Sequence, residues 1–415
     1  MYFSVTTFGC KVNQYESSGI VAIMKQAGYA PLEEADGDIN VTGVLYIINS
    51  CTVTENSDRK VKNLIIKLKS KNPNAKVVLC GCFPRAFPEK AVSTGADIII
   101  PGIFKSIDDL NEQLSIPSTN IAPIAFNLSP AWSPQDERTR AFLKIQDGCN
   151  RSCAYCIIPK ARGPVTSRAI ADIQAEAAML AKAGHKEIVI TGINLCAYEY
   201  SLVDAVESVC NTDGVHRVRL GSIEPDMIGE SDIARLAAYK ERLCAHFHLS
   251  LQSGSDSVLK RMNRQYTTND YRKVVQNIRK FFPACAITTD IIAGFPGESD
   301  NEFAQTLEFA EEIGFAKIHA FAFSSREGTL AAVMPEQLPK AIKHERARAL
   351  DDLSAKMRAA FFESLIGTEQ EILFESPDFG NTRCYTPVKT LKAYKKREIA
   401  RLKIIKAEKD YCIAE

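Results

Sequence analysis

The chain has 415 residues, 46% of them hydrophobic and 24% charged, with a formal net charge of +1. This is the composition of a globular protein long enough for two or three domains. No apolar run approaches the length of a membrane span, which excludes a membrane-spanning helix, and the near-neutral charge gives no overall basic character while leaving room for local asymmetry.

Met1 to Cys10 has no basic stretch followed by an apolar one, so it does not read as a signal peptide. Thirteen cysteines without a secretion signal read as thiols in a reducing cytoplasm, pointing to metal or redox chemistry rather than a disulfide framework. The first hundred residues alternate strand and helix signals. Strands are predicted over Tyr2–Phe8, Val44–Ile48, Lys76–Leu79 and Asp97–Ile100, and helices over Gln14–Ala27 and Glu55–Lys71. That pattern predicts a small Rossmann-like α/β domain with a parallel sheet over residues 1–114. Cys10, Cys51 and Cys82 each follow one of its strands. Loops after adjacent parallel strands share one edge of the sheet, the usual ligand edge, so three thiols can converge there, with Gly9 and Gly81 allowing close backbone approach. The alternative is three small buried hydrophobes, the reading given to Cys80 on the strand itself.

Residues 115–139 are broken by Pro117, Pro123, Pro130 and Pro134 and read as a linker, with one edge strand around Ile121–Phe126. From 140 to 366, strands and helices alternate again. Strands are predicted over Ala141–Ile145, Glu187–Thr191, Arg217–Leu220, His246–Ser250, Ala286–Ile292 and Lys317–Phe323, and helices over Ile170–Ala183, Leu202–Cys210, Asp232–Tyr239, Thr268–Phe281, Asn301–Glu312 and Leu338–Glu363. Six β/α units predict a partial TIM-like barrel with its chemistry at the C-terminal ends of the strands. Residues 367–415 change character, with antiparallel strands over Glu369–Phe374, Thr382–Val388 and Ile399–Ile405. Gly380 to Glu415 carries ten Lys/Arg against four Asp/Glu, the signature of a small basic β-domain that binds nucleic acid or of an unevenly charged solvated face.

Cys149, Cys153 and Cys156 form a C-x3-C-x2-C run directly after the first barrel strand. Chance would produce this spacing roughly 0.01 times in such a chain, so the pattern demands a ligand reading. Three thiolates can hold an iron–sulfur cluster and leave one iron open, whereas a closed cluster or tetrahedral zinc site needs a fourth local ligand, and neither Cys nor His occurs in Ile157–Thr166. The other six thiols, Cys196, Cys210, Cys244, Cys285, Cys384 and Cys412, lack ligand spacing, as do the six histidines.

Together these features resemble the radical-SAM methylthiotransferases over essentially the whole chain. The segments that carry the resemblance are Thr7–Glu16, Asp147–Pro159, Phe247–Gly254, Thr289–Glu298 and, at the end, Arg383–Val388 of a TRAM-like RNA-binding domain. Cys10–Tyr15 and Ile157–Pro164 look most like the branch that acts on N6-threonylcarbamoyladenosine beside the tRNA anticodon. Other branches act on isopentenyladenosine in tRNA or on a ribosomal-protein aspartate, and an iron–sulfur or zinc RNA-binding protein is the non-enzymatic alternative.

The resemblance implies a 4Fe–4S cluster on Cys149, Cys153 and Cys156 that binds S-adenosylmethionine and yields a 5′-deoxyadenosyl radical. It implies a second 4Fe–4S cluster on Cys10, Cys51 and Cys82 that carries the sulfur to be methylated and transferred. S-adenosylmethionine then serves as radical source and methyl donor, with a flavodoxin- or ferredoxin-like electron donor, a sulfur source and a monomeric chain. Candidate contacts to S-adenosylmethionine are Tyr155, Gly192, Ser222, Glu224, Gln252, Asp290 and Gly294, each with an ordinary reading as core packing, a cap or a turn. Candidate RNA contacts are Lys389, Lys392, Lys395, Lys396, Arg397 and Arg401, with Tyr394 as an interleaved aromatic.

Overall fold

A computed structural model describes residues 2–32, 43–104, 106–115 and 138–415. The chain divides into two compact units: Met1–Gln135 with Lys144–Ser167 and Ser324–Ala332, and Asp136–Leu143 with Arg168–Phe323 and Val333–Glu415. The edge strand expected around Ile121–Phe126 lies outside the described residues.

In the first unit, chain order runs β1 (Tyr2–Thr7), α1 (Lys11–Gln26), β2 (Ala30–Pro31), β3 (Val44–Ser50), α2 (Glu55–Lys71), β4 (Lys76–Gly81), α3 (Cys82–Ala86), α4 (Pro88–Val92), β5 (Ile98–Ile99) and α5 (Ile107–Ser115). The strands form one sheet in the order β2-β1-β3-β4-β5, parallel throughout. Every residue of β3 is buried, as a central parallel strand covered on both faces requires. One core side packs Ile48, Leu79 and Phe83 with α2; the other packs Phe3, Ile20, Met24 and Ile47 with α1.

The chain continues with β6 (Arg140–Lys144), β7 (Gln146–Asp147), α6 (Ile158–Arg162), β8 (Thr166–Ser167), α7 (Ile170–Lys182), β9 (Glu187–Thr191), α8 (Leu202–Cys210), β10 (Arg217–Leu220), β11 (Ser222–Ile223), α9 (Glu230–Ala237), β12 (His246–Leu249), α10 (Asp256–Arg261), α11 (Thr268–Phe281), β13 (Ala286–Ala293), α12 (Asp300–Ile313), β14 (Lys317–Ala322), α13 (Leu330–Val333) and α14 (Lys340–Ser364). The main strands form two sheets, β10-β9-β6 and β11-β12-β13-β14, linked by a parallel bridge between Val218 and Leu243. This is the expected partial barrel. Its helix-covered face is apolar, with Phe247, Leu249, Ile291 and Ile318 buried, while His246, His248, Thr288, Asp290 and His319 alternate with them on the opposite face. Periodicity alone missed the short α10.

The last region is β15 (Glu369–Ser376), β16 (Phe379–Thr382), β17 (Pro387–Thr390), β18 (Ile399–Ala407) and β19 (Cys412–Ala414), closed as a five-stranded barrel. It corrects the single strand expected over Thr382–Val388. Arg383–Thr386 is a turn, with Tyr385 in the left-handed region at φ +65°, between two antiparallel strands. The closing pair, β17 with β19, is parallel rather than antiparallel. This barrel is stapled to the starting ends of β9 and β10 within the second unit. Glu187 and Arg217 are register partners; Arg217 donates to Asn381 O at 3.1 Å and Arg219 to Arg383 O at 2.9 Å. No helix among the described residues is long and apolar enough to cross a membrane.

Candidate metal centres and cofactor-binding residues

Cys10, Cys51 and Cys82 stand at the C-terminal edge of three adjacent strands. Cys10 caps α1 just past β1, Cys51 follows β3 directly, and Cys82 follows β4 and opens α3. The parallel registers Thr7↔Asn49 and Ser50↔Gly81 bring these three ends side by side. Asn13 ties the group together. Its Oδ1 accepts from Cys10 N at 3.3 Å and Cys10 Sγ at 3.4 Å, and its Nδ2 donates to Asn49 Oδ1 at 3.2 Å and lies 3.9 Å from Cys82 Sγ. The glycines serve this packing. Gly9 (φ +126°) and Gly81 (φ +94°) hold left-handed conformations, and a Cβ there would come within 2.5 Å of Asn13 Oδ1 and Asn49 Oδ1 respectively.

Burial pushes the Cys82 thiol up to about 12, against the pull of Arg162 and with Cys51, Glu16 and Cys10 adding to the rise. Cys51 is raised for the same first reason. None of the thirteen cysteines is in a disulfide. Three thiols sharing one sheet edge are a donor set suited to iron, whose binding releases the thiol protons.

Cys149, Cys153 and Cys156 lie on the loop between β7 and α6, also in the first unit, and all three are half-buried. The loop is pinned at both ends. Gly148 N donates to Asp147 Oδ1 at 2.7 Å, and Cys149 N donates to Gly163 O at 3.1 Å. At Gly148 (φ +70°) a Cβ would fall 1.8 Å from Pro164 O, so only glycine permits this closure. Ile157, next to Cys156, packs in the same core as Cys82 and Phe83. The segment Ser324–Ala332 touches both cysteine-bearing regions: Ala331 N donates to Ala154 O at 2.7 Å, and Arg326 donates to Thr52 Oγ1 at 2.8 Å and to Asp58 Oδ2 at 2.5 Å.

Of the residues singled out for S-adenosylmethionine, Tyr155 is half-buried in the first unit and the other six belong to the second. Gly192 follows β9, Ser222 is exposed on β11, and Glu224 is ion-paired with Arg264. Gln252 holds a left-handed backbone at φ +68°, with its N donating to Asp290 O at 2.8 Å and its O accepting from Ile292 N at 2.9 Å. Such a conformation in a non-glycine residue is costly and concentrates at functional sites. Gly294 has a packing reason of its own, because a Cβ there would lie 2.6 Å from Lys343 Cγ of α14.

The histidines, which have no metal spacing along the chain, yield one group in space among the described residues. Ligand atoms of His248, Asp290 and His319 all lie within 4.8 Å of one another, and Thr288 Oγ1 sits 3.0 Å from His248 Nδ1. Strand register assembles this group, which is why linear spacing misses it.

In the C-terminal barrel, Lys389, Lys392, Lys395, Lys396 and Arg401 are exposed. Arg397 differs from them: it is half-buried, and its guanidinium donates to the carbonyls of Arg138 at 2.8 Å and Ala183 at 3.0 Å. Tyr394 is stacked on Phe374, with ring centroids 4.1 Å apart, as part of the barrel core rather than as an open platform.

The fold and the C-x3-C-x2-C loop define a radical-SAM protein. Residues 143–310 match the Radical SAM superfamily, and residues 2–100 match the Uncharacterized protein family UPF0004. The chain is 37% identical over 382 residues to the threonylcarbamoyladenosine tRNA methylthiotransferase MtaB of Thermotoga maritima, covering 89% of this chain and 86% of that protein. It is 33% identical to the tRNA-2-methylthio-N(6)-dimethylallyladenosine synthase of Pelotomaculum thermopropionicum, covering 90% of this chain and 86% of that protein. Among solved structures, the radical S-adenosylmethionine methyltransferase TsrM from Kitasatospora setae superposes with a TM-score of 0.60 at 13% identity, over 80% of this chain and 77% of that one, a likeness of fold. The chain belongs to the radical-SAM methylthiotransferase family and is an enzyme of that class.

Proposed function

We propose that this enzyme adds a methylthio group to C2 of N6-threonylcarbamoyladenosine next to the anticodon of tRNA. The observation that carries the reading is the 37% identity, across nine-tenths of the chain, to a relative named for that substrate. The grouping of both thiol triads in one compact unit supports it. A relative named for dimethylallyladenosine is nearly as similar, so that nucleoside is the second reading.

Cys149, Cys153 and Cys156 would hold one 4Fe–4S cluster, and Cys10, Cys51 and Cys82 a second. When bound, these clusters and S-adenosylmethionine supply radical generation, the transferred sulfur and its methyl group, chemistry that no side-chain acid or base can supply at an unactivated C–H. The chain's part is to bind, orient and exclude water. Asp147 and the Gly163 carbonyl hold the first loop, and Asn13 sets the orientation of Cys10 and Cys82. Tyr155, Gly192, Ser222, Glu224, Gln252, Asp290 and Gly294 are proposed to line the S-adenosylmethionine site. A flavodoxin- or ferredoxin-like protein would deliver the electron, an external source the sulfur, and the chain would act as a monomer.

Nucleoside mass spectrometry of tRNA from a strain lacking the gene tests the substrate. Loss of the methylthio mark from the threonylcarbamoyl nucleoside is expected; loss from the isopentenyl nucleoside alone would move the enzyme to the second reading. Anaerobic reconstitution should load about eight irons per chain, about four for each cluster. A count near four would remove the second cluster.

The exposed lysines of the β-barrel would meet RNA phosphates. Replacing Lys389, Lys392, Lys395 and Lys396 together with alanine should weaken tRNA binding and flatten its dependence on salt, by about 0.7 in the log–log slope per lost contact. Affinity measured between low and moderate salt checks this. An unchanged slope would mean that these residues form only a solvated face.

A further inference from the structure

Four buried charges join the segments that carry the two thiol triads, all within the first unit. Glu16 lies on α1, six residues after Cys10. Lys144 and Asp147 precede Cys149, and Arg162 ends α6 after Cys156. Each is at most 3% exposed. Arg162 grips Glu16 with two parallel bonds, Nη1 to Oε1 at 2.7 Å and Nη2 to Oε2 at 3.0 Å. Lys144 Nζ lies 2.8 Å from Glu16 Oε1 and 2.5 Å from Asp147 Oδ2, and Arg162 Nη1 is 3.1 Å from Asp147 Oδ2. Asp147 and Arg162 bracket the loop of Cys149, Cys153 and Cys156. One carboxylate on α1 therefore fastens the Arg162 end of that loop directly and the Asp147 end through Lys144.

Two cations and two anions cancel, so the quartet leaves no net charge in the core. A buried ionic group of this kind is not needed for stability, because well-packed apolar side chains of similar volume do as well or better. What a guanidinium–carboxylate fork adds is direction, since its two parallel bonds fix distance and angle together. Reacting groups must be held to within a fraction of an ångström of productive geometry, and two centres on separate segments need such a constraint more than one does. The charge of Arg162 also acts on Cys51 and Cys82, so the same side chain touches the electrostatics of the sheet-edge triad while anchoring the loop of the other.

We propose that the Glu16–Arg162 pair is a positioning device that sets the separation and orientation of the two thiol triads, keeping the two halves of the reaction within reach of each other. This rests on the two-cluster reading above.

The test compares the reconstituted chain with the double variant Glu16→Met/Arg162→Met, which removes one charge of each sign, and with Arg162→Lys, which keeps the charge and loses the fork. In both variants, iron content and S-adenosylmethionine cleavage without tRNA should stay within about twofold of the unaltered chain. Methylthio product per 5′-deoxyadenosine should fall about tenfold or more in the double variant and by an intermediate factor in Arg162→Lys, the range seen when residues supporting metal ligands are removed. Electron paramagnetic resonance of the two reduced centres should show an altered magnetic coupling. An unchanged product ratio with unchanged coupling would overturn the proposal. Hydrogen exchange over residues 145–165, measured on the same samples, separates this failure from that of the underlying reading. If the unaltered chain holds only four irons, the two-cluster reading fails by itself. Faster exchange in the double variant would then still establish the clamp, and unchanged exchange would refute it. Should the double variant fail to fold, the product ratio and exchange of Arg162→Lys decide the matter.

Discussion

A chain in which Cys149, Cys153 and Cys156 are all alanine is expected to lose S-adenosylmethionine cleavage entirely and to fall from about eight to about four irons. A chain with Cys10, Cys51 and Cys82 replaced should behave in the opposite way, retaining cleavage and about four irons while making no methylthio product. The asymmetry follows from the division of labour. Activating an unactivated adenine C–H requires the cofactor that the first triad would hold, and no ionisable side chain substitutes for it. Sulfur delivery is a separate task, proposed above for the sheet-edge triad. The two triads lie on separate segments of the chain, one on the loop between β7 and α6 and the other just past the ends of β1, β3 and β4, so each can be replaced without touching the other. Quantifying 5′-deoxyadenosine and modified nucleoside in parallel distinguishes the outcomes. Persistent cleavage in the first variant, or normal product in the second, would contradict the assignment of that triad.

The second large effect is on stability. Glu187 is fully buried between Arg217 Nε at 2.5 Å and Arg219 Nε at 2.7 Å. Replacing it with alanine strands two buried guanidiniums beside each other, where breaking such a network costs about 3–5 kcal/mol. That is a large part of the about 5–15 kcal/mol that holds a typical domain. The two arginines also reach the Asn381 and Arg383 carbonyls, so the C-terminal barrel should loosen first. Urea unfolding with hydrogen exchange over residues 369–415 would register both effects. A loss below about 1 kcal/mol would show that the arginines find other partners.

The same network predicts acid sensitivity. Burial pushes the Glu187 carboxyl up, but Arg219 and Arg217 hold it far below its ordinary range. Glu371, also pushed up by burial, is brought down to about 2 by its bond to His216 and the charges of Arg383 and Arg217. A carboxylate depressed in the folded state adds stability that is fully present above its unfolded value, about 4.3, and is lost as pH falls toward the folded one. The C-terminal barrel should therefore loosen between about pH 4 and pH 2, and Glu187→Gln should flatten that dependence.

The cysteine loop was legible because its three candidate ligands lie within eight residues, and a local spacing survives any tertiary arrangement. The sheet-edge triad was legible less directly, through the rule that parallel strands end on one side. Asn13 and Glu16 follow Cys10 at intervals of three and six, on one face of a helix, and that spacing was a usable signal. Their partners were not, since Asn49 and Arg162 are 36 and 146 residues further along. The basic count after Gly380 was correct as a count, but it could not separate the exposed lysines from Arg397, whose guanidinium is taken up by two backbone carbonyls.

The sequence by itself determined the alternation of strands and helices, the parallel sheet, the partial barrel and the cysteine loop, because each follows from local periodicity or spacing. Only the tertiary structure decided what depends on register and burial: the meeting of Cys10 and Cys82 at Asn13, the His248–Asp290–His319 group, the turn at Arg383–Thr386, and the ionic clamp joining Glu16 to Arg162. Buried charges are stable only with partners in place, and nothing along the chain states which partner lies across the core.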